Sequence, residues 1–157
     1  MLHLIKDIAD SFFNFLSQDP VRPLIPHSLR VGENRDIFVL KEEEEVKAIT
    51  CVSYQDSVPT SENELFVDSK EPSIAVFYTI WSYAPGAGRQ LIFDSVSHIK
   101  SEKTNIKRFV TLSPKTELAR KFHLKNGAQV HKENFETINY EYIQQGKSNE
   151  SQNSASK

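Results

Sequence analysis

The sequence is poor in cysteine, with Cys51 as the only thiol in 157 residues. One thiol cannot form a disulfide within the chain, and no group of Cys and His residues has the spacing of a zinc site. Cys51 stands in an apolar, β-branched stretch without an activating base beside it, which is typical of a buried packing residue. We therefore expect no metal site, no thiol chemistry and a reducing compartment, the cytoplasm.

The sequence also lacks an excess of basic charge and a long apolar run. It has 19 Lys and Arg residues against 21 Asp and Glu residues, for a net charge of −2, so we expect no nucleic acid partner. The N-terminal stretch MLHLIKDIADSFFNFL carries Lys6, Asp7 and Asp10 within its apolar pattern. These charges argue against a signal peptide or a membrane span, and we expect no membrane partner.

The composition, 38% hydrophobic and 25% charged, is that of one globular domain, which we assign to residues 1–145. Residues 146–157, GKSNESQNSASK, have almost no apolar side chains, and we predict a disordered tail there. At the other end, apolar residues recur at helical spacing from Leu2 to Leu16. This spacing predicts an amphipathic N-terminal helix that packs on its own domain.

Three stretches in the first half of the chain have the composition of strands. RDIFVLK (35–41) and EVKAITCVSYQD (45–56) are rich in β-branched and aromatic residues, and the acidic run EEEE (42–45) between them predicts the tip of a hairpin. The polar segment that follows is predicted to be a loop. SIAVFYTIWSY (73–83) is apolar almost throughout, as a central strand covered on both faces should be.

The second half alternates helix and strand signals. LIFDSVSHIK (91–100) predicts a helix and KRFVTL (107–112) a short strand. A second helix is expected with Ser113 as N-cap, Pro114 at its first position and a stop at Asn126 and Gly127. AQVHKEN and ETINYEYI then predict two final strands. The order of elements predicts an α/β fold.

The stretch YAPGAGRQ (83–90) holds two of the five glycines, between the central strand and a helix. A turn of this kind leaves backbone N–H groups unpaired at the positive end of the helix dipole, where they can bind a phosphate. Arg89 and Gln90 would add donors at its rim. The stretch lacks the lysine of a P-loop and the third glycine of a dinucleotide fingerprint, and a purely structural turn remains the alternative.

Two segments in register resemble the GNAT family of N-acetyltransferases. The family signature Gln/Arg-x-x-Gly-x-Gly/Ala, between a central strand and a helix, is similar to YAPGAG with Gly86 and Gly88. The second signature, Asn-x-x-Ala-x-x-x-Tyr-x-x-x-Gly-Phe, is similar to TELARKFHLKNGA (116–128), with Ala119 and Gly127 in place and His123 at the tyrosine. The resemblance spans residues 73–142.

The resemblance implies a mixed, mostly antiparallel sheet with one splayed parallel strand pair and flanking helices. It also implies acetyl transfer from acetyl-CoA, the co-substrate, to an amine acceptor, which is a small molecule or a protein; the oligomeric state stays open, a homodimer included. His123 takes the place of the acid that protonates the CoA thiolate. Backbone amides at the end of the central strand and at the glycine turn imply a cofactor-binding set: Tyr78, Ile80, Gly86, Ala87, Gly88, Arg89 and Gln90.

The sequence departs from the family pattern at several positions. Tyr83 stands where the family has Gln or Arg, and Pro85 removes one backbone donor from the turn. Thr116 and Ala128 replace the asparagine and phenylalanine of the second signature, and no strand is recognised ahead of the predicted N-terminal helix. These departures favour an alternative function, a catalytically inactive GNAT-fold protein that serves as a binding or regulatory module.

Overall fold

The computed structural model describes residues 1–144, so the predicted tail at 146–157 lies outside the described residues. Short 3₁₀ segments occur at Phe13–Gln18, His27–Arg30 and Glu62–Phe66. None of the helices within this range is long and apolar enough to cross a bilayer. The strands and α-helices are β1 (Leu2–Ile5), β2 (Arg35–Glu42), β3 (Glu45–Gln55), β4 (Ile74–Ser82), α1 (Ala87–Glu102), β5 (Arg108–Thr111), β6 (Ser113–Pro114), α2 (Glu117–Lys125), β7 (Gln129–Glu133) and β8 (Thr137–Glu141).

Eight strands form one sheet in the order β1-β2-β3-β4-β5-β8-β6, with β7 paired to β8. Every pair is antiparallel except β4 with β5. The predicted mixed sheet with flanking helices is therefore confirmed. The hairpin is confirmed as well, because β2 and β3 turn at Glu43, where the backbone has a φ of 57°.

The core lies on both faces of this sheet. On one face the apolar side of α1, with Leu91, Ile92 and Ile99, packs against β2, β3 and β4. On the other face the irregular segment between β1 and β2 contributes Phe12 and Leu16 to a second buried cluster. β4 is thus covered on both sides, which explains its nearly continuous apolar sequence.

The prediction of an N-terminal helix was wrong. Residues 2–5 form β1, which pairs with β2 at the edge of the sheet, so the strand that seemed to be missing is present. The Asp7 carboxylate accepts the Ala9 N–H at 2.9 Å, and the Asp10 carboxylate accepts the Phe12 N–H at 2.8 Å. Such local side-chain bonds compete with helical backbone bonds and favour turns.

The start of α2 also differs from its prediction. The N-cap is Thr116, whose hydroxyl accepts the Ala119 N–H at 3.2 Å. Ser113 and Pro114 instead form β6 and pair with Ile138 and Thr137 of β8. Pairing with a strand distant in the sequence thus overrides a local capping signal. The predicted stop is confirmed, since Asn126 caps the helix and the following glycine has a φ of 98°.

The parallel pair of β4 and β5 splays apart at its carboxyl end, as predicted. The strands pair from Ile74 to Phe77, and the last link is the Leu112 N–H bond to the Phe77 carbonyl at 3.0 Å. β4 then continues beside β3 to Ser82, while the chain after β5 turns away into β6. An extra residue, Tyr78, interrupts the register between β3 and β4 at this point, which bends β4 away from β5.

Candidate functional site

The splayed strands open a cleft of about 380 Å³. Crevices at the carboxyl ends of strands are the usual ligand sites of open α/β sheets. One wall is β4, another is α2, and the segment after β1 closes the third side. The lining residues are Pro20, Val21, Phe77, Tyr78, Thr79, Ile80, Trp81, Ser82, Gly88, Leu112, Ser113, Pro114, Thr116, Leu118, Ala119, Phe122 and His123.

A guanidinium bridges the two strands where they part. Arg22 donates from Nε to the Tyr78 carbonyl at 3.2 Å and from Nη2 to the Leu112 carbonyl at 2.9 Å. Its Nη1 atom donates to the Glu62 carboxylate at 3.3 Å. A buried backbone carbonyl without a partner is costly. Arg22 therefore satisfies acceptors that the loss of strand pairing would leave open.

A buried ion pair holds this arginine and the adjacent wall in place. The fully buried Arg30 donates to the Asp19 carboxylate at 2.7 Å. The other oxygen of Asp19 accepts the Thr79 hydroxyl at 2.8 Å and the backbone N–H groups of Val21 at 2.7 Å and Arg22 at 3.0 Å. Asp19 thus ties the 19–22 segment to β4 beside the cleft.

The glycine turn has the form that its sequence predicts. Gly86 has a φ of 79°, which is accessible to glycine at little cost. Its carbonyl accepts the Gln90 N–H at 3.2 Å, while the N–H groups of Gly86, Gly88 and Arg89 have no acceptor within the described part of the chain. A β-carbon at residue 88 would lie 3.0 Å from Cε1 of Phe122, so glycine there permits close packing of α1 on α2.

The other residues predicted to bind a cofactor fall in different places. Tyr78 and Ile80 line the cleft. Ala87, the first residue of α1, is buried in the core, and its N–H donates to the Ala84 carbonyl at 3.2 Å. The Arg89 side chain turns toward α2 and donates to the Asn126 amide oxygen at 3.1 Å. Gln90 is exposed on the first turn of α1, next to Asp94.

His123 lies in the wall of the cleft but is almost fully buried, with 3% of its surface exposed. Its Nδ1 atom is hydrogen-bonded to the Tyr142 hydroxyl at 2.7 Å, and its ring stacks on Tyr140 at 5.0 Å. Burial lowers the pKa of His123 to about 4 and raises the pKa of the Tyr142 phenol. The ring is therefore neutral at neutral pH, where an unperturbed imidazole would be partly charged.

Tyr83, which replaces the family's Gln or Arg, is held away from the glycine turn. Its hydroxyl accepts the Trp81 indole N–H at 2.9 Å and donates to the Gln18 side chain. Its ring packs edge-on against Phe15 at 6.2 Å. Of the aromatic residues at the end of β4, Tyr78 and Trp81 line the cleft, whereas Tyr83 anchors the segment between β1 and β2.

Sequence reasoning missed four residues that shape the cleft. Asp19 and Arg22 lie in the proline-rich stretch 19–26, whose composition is typical of an extended connection, and Arg30 follows it. No spacing rule links the three residues to β4. Tyr142, the partner of His123, stands at the end of a predicted strand without a distinguishing pattern. Since each acts through a distant backbone or side-chain group, only the tertiary structure reveals its role.

No protein-family model matches the sequence, and the comparison with curated proteins gives no match. Solved structures do match. Malonyl-CoA decarboxylase from Cupriavidus metallidurans superposes with a TM-score of 0.72 at 15% identity, over 91% of this chain and 60% of that one. The GNAT domain of S. lividans PAT gives 0.61 at 13% identity, over 90% and 88% of the two chains. Tetrahymena GCN5 gives 0.59 at 14% identity, over 91% and 96%.

The chain has the GNAT fold. In this protein the fold shows three features that matter for the site: the splayed pair of β4 and β5, the glycine turn at the start of α1, and α2 beside the cleft. The chain spans 35% to 60% of the length of the malonyl-CoA decarboxylases that it matches. At identities of 20% or below, this similarity establishes the GNAT fold alone.

The buried His123 predicts an acid-sensitive fold. The unfolded chain binds a proton at His123 below about pH 6.5, while the folded chain resists protonation until about pH 4. Above pH 6.5 His123 is neutral in both states and does not lower the free energy of unfolding. As the pH falls from 6.5 toward 4, protonation of His123 in the unfolded chain alone lowers the free energy of unfolding. Between pH 7 and 4, the free energy of unfolding should fall by about 3 kcal/mol more for the wild type than for His123→Phe. Urea titrations at both pH values measure this; an equal fall in both chains would contradict a buried neutral ring.

Proposed function

We propose that this protein binds an acyl-CoA thioester in the cleft and transfers its acyl group to an amine, with acetyl-CoA as the expected donor. The observation that carries the proposal is that Gly88, in the first turn of α1, lines the splayed cleft, and that its N–H, like those of Gly86 and Arg89 beside it, has no acceptor among the described residues. Two proteins with the same fold were solved with CoA, the PaiA N-acetyltransferase of Thermoplasma acidophilum and the aminoglycoside N-acetyltransferase AAC(6')-Iy.

In this proposal the chain's own backbone supplies most of the binding. The three open N–H groups at the start of α1 receive the pyrophosphate, where the helix dipole favours negative charge. Backbone amides of β4 from Tyr78 to Ile80 bind the pantetheine arm alongside the strand. Pro85 has no backbone N–H, so the turn lacks a hydrogen-bond donor at this one position. Arg89 and Gln90 add polar side chains near it.

The transfer requires that the amine nitrogen bond to the thioester carbon and that the C–S bond break. The proton that nitrogen sheds then neutralises the thiolate, which leaves an amide and free CoA. His123 is neutral, so it acts by donating a ring N–H hydrogen bond to the departing sulfur rather than as an imidazolium. Tyr142 orients the ring through the bond to Nδ1. In this mechanism His123 is the catalytic residue and Tyr142 a positioning residue.

A second candidate is the decarboxylation of malonyl-CoA. It is favoured by the TM-scores of 0.65 to 0.72 with three malonyl-CoA decarboxylases and by the apolar lining of the cleft. Loss of CO₂ breaks a C–C bond and leaves its electron pair on the thioester enolate, which takes up a proton to give acetyl-CoA. An apolar cleft would desolvate the carboxylate and promote this loss. No amine takes part in the reaction.

The binding step is tested with two glycines that share a left-handed backbone conformation. Gly86 and Gly127 both have positive φ and open space around the α-carbon, so a valine at either should cost about 1–2 kcal/mol of stability. CoA at 100 times its dissociation constant should stabilise the wild type and Gly127→Val by about 2.7 kcal/mol and Gly86→Val far less. Thermal unfolding with and without CoA measures the effect. Equal stabilisation of all three chains would overturn the placement of the pyrophosphate.

The chemistry is tested by the fate of the thioester. Transfer predicts free thiol from acetyl-CoA only when an amine is added, and decarboxylation predicts acetyl-CoA from malonyl-CoA without any thiol. His123→Ala should lower kcat of the transfer by about 10² to 10³-fold with little change in CoA affinity, as expected for the loss of one hydrogen-bond donor, and His123→Tyr should recover part of the rate. CoA binding without either product would instead support the inactive binding module. Unchanged turnover in His123→Ala would remove His123 from the mechanism.

A further inference from the structure

The lining of the cleft carries no carboxylate in the part of the chain that the structure describes. Two acidic groups close to the cleft are bound elsewhere: Asp19 accepts four donors on the far side of the wall, and Glu62 is paired with Arg22. Glu117 is exposed to solvent between the lining residues Thr116 and Leu118 and does not itself line the cleft. A charged substrate group inside the cleft therefore meets no carboxylate in the lining.

The other polar groups of the wall cannot act in place of a carboxylate to accept a proton or to pair with a cation. His123 is the imidazole of the lining, and its pKa near 4 makes it a poor proton acceptor for an ammonium ion. The remaining polar side chains of the lining are hydroxyls and the Trp81 indole, of which Thr79 donates to Asp19, Ser113 to Thr111 and Trp81 to Tyr83. An alkyl ammonium would therefore enter this cleft without a counter-ion, which is costly.

The mouth of the cleft favours flat apolar groups. Trp81 and Phe122 contribute aromatic side chains to the lining, and Val21 and Pro114 contribute further apolar surface. Leu118, also in the lining, is 82% exposed and adds an apolar side chain on the solvent side of α2. Aromatic rings bind such surfaces through apolar burial and edge-to-face contacts.

We propose that the acyl acceptor is an aromatic amine of low basicity, which enters the cleft neutral and transfers its own proton to the departing thiolate. This inference rests on the proposed transfer function. The nitrogen lone pair of the arylamine forms the new C–N bond, the C–S bond breaks, and one N–H proton ends on sulfur. The products are an anilide and free CoA, and no external base takes part.

Two isomeric amines test the proposal, 4-methylaniline and benzylamine, which share composition and size. Benzylamine is an alkyl amine, ionised at pH 7 like a lysine side chain with a pKa of about 10.4, whereas 4-methylaniline is neutral. With acetyl-CoA at pH 7, kcat/KM should be at least about 10²-fold higher for 4-methylaniline, although benzylamine is the stronger nucleophile. The benzylamine value should rise about tenfold per pH unit up to pH 9, and the 4-methylaniline value should stay flat.

A carboxylate added at the mouth should change the preference. In Leu118→Glu, the ratio of kcat/KM for benzylamine to that for 4-methylaniline should rise about fivefold over Leu118→Gln, as expected for one exposed charge pair. The exposure of Leu118 makes both variants compatible with folding. Preference for benzylamine at pH 7 would overturn the acceptor class and leave the transfer function intact. If neither amine is acylated, the transfer function itself fails and this inference fails with it.

Discussion

The structure depends on how the chain satisfies the carbonyl groups exposed where β4 and β5 separate. The sheet gives up strand pairing beyond Phe77 to create the cleft, and the carbonyls of Tyr78 and Leu112 are left beside the gap. Arg22 donates hydrogen bonds to both carbonyls, because the donors of its planar guanidinium are spaced to reach two acceptors at once. The sheet thereby opens without leaving these two carbonyls unpaired.

Residues 19–22, which include Arg22, form neither helix nor strand and are held in place by a buried ion pair. Asp19 and Arg30 are both buried, and removing either partner would leave an uncompensated charge in the core, a change that typically costs several kcal/mol. The same pair positions Val21 in the wall of the cleft. Fold stability and the shape of the site therefore rest on the same side chains.

Much of the fold could be predicted because its signals are local. The apolar run of β4, the glycines before α1 and the stop after α2 each act within a few residues, and each prediction is confirmed. The N-terminal helix and the Ser113 cap failed because pairing with distant strands decided those segments. The roles of Asp19 and Arg22 were not predictable, since their partners lie 60, 56 and 90 residues away.

The central claim, that the cleft and the glycine turn hold an acyl-CoA, is tested most directly by NMR. In a ¹⁵N-labelled chain titrated with CoA, the amide signals of Gly86, Gly88 and Arg89 should shift together, along with those of Tyr78 to Ile80 on β4. The amides of Ser101 and Glu102, at the opposite end of the 16-residue helix α1, should stay in place. Saturable shifts elsewhere, with the Gly86, Gly88 and Arg89 signals unmoved, would contradict the account.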